Sequence, residues 1–381
     1  MRPLSILALE PWYGGSHARF LDAWRELSRH DVRVLGLPPR RWKWHMTVGA
    51  WALARRLSEE RLARCDAILA SDFLDLSTLA SFLPRDWDGV PRVLYLHESQ
   101  LTYPTAPTGP GAGPDERDLT FAFRNVLSCL AADAIVFNSS FHAREFARAA
   151  DELLARMPRP TPRAELAARL QAAQVISPGV DLEGIPLGPG PAPAAPLRVV
   201  FNHRWEHDKD PVAFLGAARD ALRDGARLEL VLLGERFAAE PTGAAALRAE
   251  LGARVVHAGF APDRAAYARW LAGSDLVVST AHHEFFGIAV LEGTAAGCTP
   301  LVPARLSYPD LVPSVEREVS LYAEGELAPR LARAARTPQR WRRAERRARM
   351  RALALAHDRR RTAAALDALC ESLVDARNGV P

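Results

Sequence analysis

The sequence predicts an α/β protein of two successive doubly wound domains, and three observations carry that prediction. Short apolar runs alternate with stretches of 3.6-residue periodicity along most of the 381 residues. Strand, helix and strand at this spacing make the crossover that parallel pairing requires. The alternation breaks once, at EGIPLGPGPAPAAP (183–196), where proline and glycine supply eight of fourteen residues, and then resumes.

In the first domain, residues 1–182, the strand candidates are LSILALE (4–10), VRVLGL (32–37), AILAS (67–71), RVLYLH (92–97), AIVFNS (134–139) and QVISPG (174–179). Helical patterns such as RNVLSCLAA (124–132) lie between them. Residues 183–196 read as a semi-rigid linker, because proline fixes φ and favours extended chain. The second domain, 197–361, offers LRVVFNH (197–203), LELVLLG (228–234), RVVHAGF (254–260), DLVVSTA (275–281) and TPLVPA (299–304). Two such domains are expected to turn the carboxyl ends of their strands to a central cleft, since open parallel sheets bind ligands at those ends. Beyond residue 325 the chain reads as helical, and its last stretch, 362–381, is expected to pack back on the first domain.

Composition narrows the function classes. Apolar residues at 48% and charged residues at 25% are globular values. Cys65, Cys129, Cys298 and Cys370 form no CxxC or Cys/His cluster, so buried free thiols in a reducing compartment are expected. The N-terminal apolar run is too short for a signal peptide, and no 18-residue apolar segment follows. A cytoplasmic protein with no membrane partner is the expectation. Net charge is +4, but residues 340–361 hold ten arginines against Glu345 and Asp358. There Trp341, Ala344, Ala348, Ala352 and Leu355 make an apolar helical stripe ringed by arginine, which fits either nucleic-acid contact or a solvated helix on a core.

The strongest chemical signal is HHEFFGIAVLEG (282–293), after a strand and opening a helix expected to begin near Phe286. Glu284 and Glu292 are eight apart, about 80° apart around a helix and roughly 12 Å along it. Two carboxylates so placed suit the two ends of an elongated polar ligand, with the amides of Phe286, Gly287 and Ile288 facing an anion. A sugar nucleotide has that layout; a carboxylate cap at Glu284 and a solvated Glu292 are the plainer reading.

HRWEHDKDP (203–211) ends the strand that opens the second domain. Of the chain's 49 basic residues only Lys43 and Lys209 are lysine. Arg204 and Lys209 are placed to converge on a diphosphate, where a compact ammonium fits differently from a planar guanidinium. A surface ion pair of Lys209 with Asp208 or Asp210 is the alternative. Asp210 and Pro211 read as N-cap and first helical residue.

In the first domain, Gly14 and Gly15 in WYGGSH permit a tight turn and close approach of backbone to phosphate or sugar. His97, in HESQLTYP (97–104), stands at a strand's carboxyl end. In RRWKWH (40–45), Arg41, Trp42, Lys43 and Trp44 suit stacking on unpaired bases and contact with phosphates, or else the tryptophans pack under a loop. No DxD-type motif sits where a metal would be needed, and no G-x-G-x-x-G follows a strand, which argues against a dinucleotide oxidoreductase.

Taken together, WYGGSH, RRWKWH, LHESQLTYP, FRNVLSCLAADAIVFNSSFH, HRWEHDKDP and HHEFFGIAVLEG resemble the tRNA-queuosine alpha-mannosyltransferase family, over residues 4 to about 313. The resemblance implies a retaining glycosyltransferase of GT-B fold, two Rossmann-like domains, with GDP-mannose as donor and queuosine at the wobble position of tRNA(Asp) as acceptor. It further implies Arg204 and Lys209 at the donor diphosphate, Glu284 at the mannose hydroxyls, Glu292 at the ribose, the amides at 286–288 at phosphate and His97 at the reacting sugar face. No cofactor or metal is expected. Animal members resembling this chain carry a long insert where this one has its short proline segment. A lipid, glycan or small-molecule acceptor on the same fold is the alternative.

Overall fold

The computed structural model describes residues 2–102, 119–234 and 242–379. It divides into two compact units, Met1–Gly179 with Arg359–Pro381, and Val180–Asp358.

Among the described residues the first unit holds β1 (Ser5–Glu10), β2 (Asp31–Gly36), β3 (Ala67–Ser71), β4 (Arg92–Leu96), β5 (Ala134–Phe137) and β6 (Gln174–Val175). They pair in the order β2-β1-β3-β4-β5-β6, every ladder parallel. The second unit holds β7 (Leu197–Phe201), β8 (Leu228–Leu233), β9 (Val255–Gly259), β10 (Leu276–Val278), β11 (Thr299–Pro303) and β12 (Leu321–Tyr322). Their order is β12-β11-β10-β7-β8-β9, again all parallel.

Central strands are buried on both faces, so they read as unbroken apolar runs: β3 is buried at every residue, and β1 at all but Ser5. Edge strands alternate instead, as β2 and β9 do. β6 pairs only over Gln174–Val175, shorter than the 174–179 expected, since Pro178 brings no donor for a ladder. β12 was not anticipated; two residues give no run to read.

The helix Arg359–Arg377 begins three residues before the expected stretch and belongs to the first unit. Its Leu366, Leu369 and Cys370 join Leu4, Ile6, Phe20 and Trp24 in one apolar cluster. Buried Asp367 anchors it by accepting from Trp24 Nε1 at 2.8 Å, Ser28 Oγ at 2.6 Å and the Arg29 amide at 3.0 Å. All four cysteines are buried and unpaired. No helix among the described residues is long and apolar enough to cross a membrane.

Two expectations for the second unit need correction, and they share one cause. The stripe Ala344, Ala348, Ala352 and Leu355 is exposed, whereas the buried face of the helix Ala344–Leu355 is Arg346, Arg347, Met350 and Ala354. Trp341 is buried, but on a separate short helix, Gln339–Arg342. Arg347, 2% exposed, donates to the carbonyls of Gly188, Ser274, Ala272 and Ala296 at 2.7–3.0 Å. Arg342 holds the carbonyls of Ala192, Pro193, Ala195 and Pro196, and Arg351 that of Ile185. The 183–196 segment is therefore no free linker. It is bound to the second unit by arginines whose forked donors satisfy carbonyls that a proline-rich chain leaves outside any ladder.

Candidate functional site

Both sheets reverse strand order once, between β1 and β3 and between β7 and β10, and open sheets bind ligands at the carboxyl ends beside such a reversal. Apart from those of RRWKWH, the residues singled out from the sequence collect at these two places.

At the β7/β10 reversal, β7 runs into Asn202, His203 and Arg204, and β10 into the loop that carries Glu284. Lys209 is buried there. Its ammonium donates to the His283 carbonyl at 2.6 Å and pairs with Asp208 at 3.2 Å and Glu284 at 3.3 Å. Three donors meet three acceptors, which explains the lysine: a compact ammonium fits a three-cornered protein pocket that a planar guanidinium does not. Where the sequence suggested a diphosphate, the ammonium is held here by three groups of the protein itself. Burial alone would lower its pKa, but Glu284 and Asp208 raise it, so it stays charged. Burial would likewise raise Glu284, yet the Lys209 charge and the Phe286 amide hold that carboxyl below its usual range. Burial first, and then Lys209, push His203 and His283 down to about 4, so both rings are neutral.

The helix begins at Ile288 rather than near Phe286, because Gly287, at φ 108°, turns the chain just before it. Glu284 Oε1 accepts from the amides of Phe286 at 3.2 Å and Gly287 at 3.0 Å. Two of the three amides expected to face phosphate are thus occupied by the carboxylate itself, leaving Ile288 and the first turn behind it. Glu292 lies one turn into the helix. It is gripped by Arg264 at 2.8 Å and by the Tyr267 hydroxyl at 2.6 Å, which in turn accepts from Asn202 Nδ2 at 2.8 Å. Arg204 is half-exposed and pairs with Glu206 at 3.1 Å. Asp210 caps the helix Pro211–Arg223 by accepting from the Ala213 amide at 3.0 Å.

At the β1/β3 reversal, Glu10 ends β1 and Ser71 ends β3, and buried His97 immediately follows β4. Glu10 accepts from Ser71 Oγ at 2.9 Å and the Trp12 amide at 2.8 Å, and pairs with His17 Nδ1 at 3.0 Å. The His17 and His97 rings lie 4.1 Å apart at 35°. Burial opposes a charge on His17, but Glu10 carries its pKa up to about 9. Burial and then that charge hold His97 well below the usual range, so it is neutral, and its buried Nε2 has no hydrogen-bond partner among the described residues. Asp72 accepts from the His97 amide at 2.8 Å through Oδ1; its Oδ2 has no hydrogen-bond partner among the described residues, and burial pushes the pKa of Asp72 up to about 7. Glu10, His17 and His97 offer donor atoms within 4.8 Å of one another, the one such three-residue set among the described residues.

Gly14, extended rather than left-handed, is needed for packing: a Cβ there would meet Pro39 at 2.3 Å, and its amide already donates to the Trp12 carbonyl. Gly15, at φ 54°, starts the helix Gly15–Leu27. The last two residues of HESQLTYP, Tyr103 and Pro104, lie outside the described residues. In RRWKWH the two tryptophans part: Trp42 packs on Phe73 and Phe121, while Trp44 is 61% exposed beside exposed Arg41 and Lys43. Sequence reasoning missed Glu10, His17, Asp72, His203, Arg264 and Tyr267. Glu10 and His17 flank the WYGG turn and His203 opens HRWEHDKDP, so these were within reach; nothing in the local sequence marks Asp72, Arg264 or Tyr267.

Comparison with known proteins adds what geometry alone leaves open. Residues 5–180 match the family model "tRNA-queuosine alpha-mannosyltransferase N-terminal", and residues 190–350 match "Glycosyl transferases group 1". The tRNA-queuosine alpha-mannosyltransferase of Drosophila melanogaster is 30% identical over 317 residues, 81% of each chain. Among solved structures, sucrose-phosphate synthase from Thermosynechococcus elongatus superposes with a TM-score of 0.72 at 14% identity, covering 98% of this chain and all of that one. Anabaena HepE, solved with UDP and glucose, gives a TM-score of 0.65 at 18% identity, covering 97% of this chain and all of that one. Two parallel six-stranded sheets with these likenesses are the GT-B arrangement, and the chain belongs to the tRNA-queuosine alpha-mannosyltransferase family of glycosyltransferases.

Proposed function

We propose that this glycosyltransferase moves mannose from GDP-mannose to queuosine at the wobble position of tRNA(Asp), with retention of anomeric configuration. The observation that carries the reading is the likeness to the Drosophila enzyme, which runs through both units over 81% of each chain. The donor binds at the β7/β10 reversal. Glu284, ionised and oriented by Lys209 and by two amides, accepts hydrogen bonds from mannose hydroxyls through Oε2. Glu292, held by Arg264 and Tyr267, takes the ribose. Arg204 and the first turn of the helix Ile288–Ala295 meet the diphosphate, stabilising charge as GDP departs. In this reading His97, in the first unit, remains a residue for the reacting sugar; its Nε2 has no hydrogen-bond partner among the described residues. The leaving phosphate accepts the acceptor's proton on the face it vacates.

Lys209 acts in this scheme through Glu284. Cationic groups and helix amides take the place of a metal, so turnover persists in EDTA; loss restored by magnesium would overturn that part. A tRNA acceptor also puts the enzyme in the cytoplasm. The test is incubation with GDP-mannose and bulk queuosine-containing tRNA, followed by nucleoside mass spectrometry and sequencing of the modified tRNA. Mannosylated queuosine in tRNA(Asp) is expected. Slow donor hydrolysis with no modified nucleoside would move the acceptor to another class of molecule.

A further inference from the structure

The helix Trp42–Glu59 buries Met46, Gly49, Ala50, Leu53, Ala54 and Leu57, and so has an opposite face turned to solvent. Two tryptophans stand on that face, Trp44 at 61% and Trp51 at 49% exposure. Seven residues apart, they lie within about 20° of each other around the helix and roughly 10 Å apart along it. An exposed indole is uncommon, and two in line make an apolar stripe that water does not favour.

The stripe's surroundings are cationic. Arg40, Arg41, Lys43 and Arg55 fall between positions 40 and 55, and no carboxylate falls among them. The nearest on the helix is Glu59, which pairs with Arg55 at 2.6 Å. Arg55 also lies over the Trp51 ring at 5.6 Å, and Lys43 over Trp42 at 5.6 Å. Flat rings flanked by cations suit a ligand of flat rings joined by phosphates; a protein or membrane partner would call for a broader apolar face. From this helix a chain of ring contacts leads inward, Trp42 to Phe73 at 6.0 Å, Phe73 to His17 at 5.3 Å and His17 to His97 at 4.1 Å. All of it lies within the first unit.

We propose that the outer face of the helix Trp42–Glu59 is a platform for single-stranded RNA, where unpaired bases stack on Trp44 and Trp51 and phosphates meet Arg40, Arg41, Lys43 and Arg55. The inference rests on the RNA-acceptor reading above and extends it seven residues beyond the RRWKWH motif. Trp42 is excluded as a stacking surface, since its ring is packed on Phe73 and Phe121.

The test is a fluorescence-anisotropy titration of a labelled RNA hairpin with an unpaired loop, against a fully paired duplex of equal length, using the full chain. Trp51→Ala should weaken hairpin binding roughly five- to 150-fold, the range of one lost base stack. Trp51→Phe should restore most of it. Arg55→Ala should lower the slope of log affinity on log salt by about 0.7. Both indoles are exposed, so thermal unfolding reports whether the variants stay folded. Equal binding by wild type and the Trp44→Ala/Trp51→Ala double variant would overturn the platform, as would equal affinity for the duplex or a dimer that Trp51→Ala dissociates. The two readings fail separately. Weakened hairpin binding in the variants without any mannosylated queuosine removes the acceptor reading and keeps the platform; mannosylation with unimpaired double-variant binding does the reverse.

Discussion

The two strand-order reversals solve the same problem in opposite ways. At β7/β10 the buried carboxylates are balanced by Lys209, whose ammonium stays charged across the physiological range. At β1/β3 two buried carboxylates, Glu10 and Asp72, are countered by the imidazole of His17, and the balance is set by protons: His17 titrates near 9 and Asp72 near 7. A fixed counter-charge keeps Glu284 ready to accept hydroxyl hydrogen bonds at any ordinary pH. A titrating one makes the first unit's polarity depend on the medium, while burial keeps His97 neutral throughout.

The largest effect should come from removing the fixed charge. Lys209→Ala leaves Asp208 and Glu284 facing each other with no cation between them, and breaking a buried pair in this way costs about 3–5 kcal/mol. Urea unfolding should show that loss together with abolished mannosyl transfer. Lys209→Arg should also lose activity, since a guanidinium does not fit between the His283 carbonyl and the two carboxylates. An arginine variant as stable and active as wild type would remove the argument that this pocket selects an ammonium.

The sequence displayed this site only in part, and the reason is geometric. Glu284 and Glu292 were legible because both lie in one short strand-to-helix stretch, although Glu284 precedes the helix that carries Glu292, and Asp210 because a cap and a following proline are local features. Lys209 was conspicuous by rarity, but its charge was assigned to a phosphate. Which carboxylates fold back on a lysine depends on β10 pairing beside β7, 75 residues away in the case of Glu284. The histidine cluster draws on the ends of β1, β3 and β4, neighbours by sheet order alone. The strands themselves were readable because central parallel strands are apolar on both faces; β12 and the extent of β6 were not, because edges need no such run. The arginines of 342–351 misled for a different reason. Composition shows a charge and hides the backbone carbonyls that surround it.

The second effect sharpens the contrast through pH. His17 has a folded pKa near 9 against about 6.5 unfolded, so the folded state holds the extra proton between those values. Its contribution is complete below about pH 6.5 and is lost as pH rises through 9, a change of about 3 kcal/mol. Asp72, raised to about 7, also makes stability fall with rising pH, but in a lower window, from about 4 to 7. Urea midpoints across pH 4–10 should therefore decline in two steps. His17→Gln should abolish the upper step and Asp72→Asn the lower, while neither alters the charge at Lys209. A single decline that survives both substitutions would place the titrating groups elsewhere.

The smallest effect asks whether Glu292 belongs to the ligand at all. Its carboxylate has two holders, Arg264 on Oε1 and Tyr267 on Oε2, so losing one leaves it in place but freer to turn. Tyr267→Phe removes a single hydrogen bond to a charged group and also strips Asn202 of one acceptor. About 1.5 kcal/mol is at stake, roughly tenfold in affinity. If Glu292 meets the ribose, calorimetry should find GDP binding weakened by about that factor and deoxy-GDP binding weakened less, because the deoxy sugar has less hydroxyl contact to lose. Equal weakening of both nucleotides would make Tyr267 a general support of the helix Ile288–Ala295. No weakening of either would leave Glu292 as a surface-facing partner of Arg264, and the ligand-bearing part of the second unit would shrink to Glu284, Arg204 and the helix's first turn.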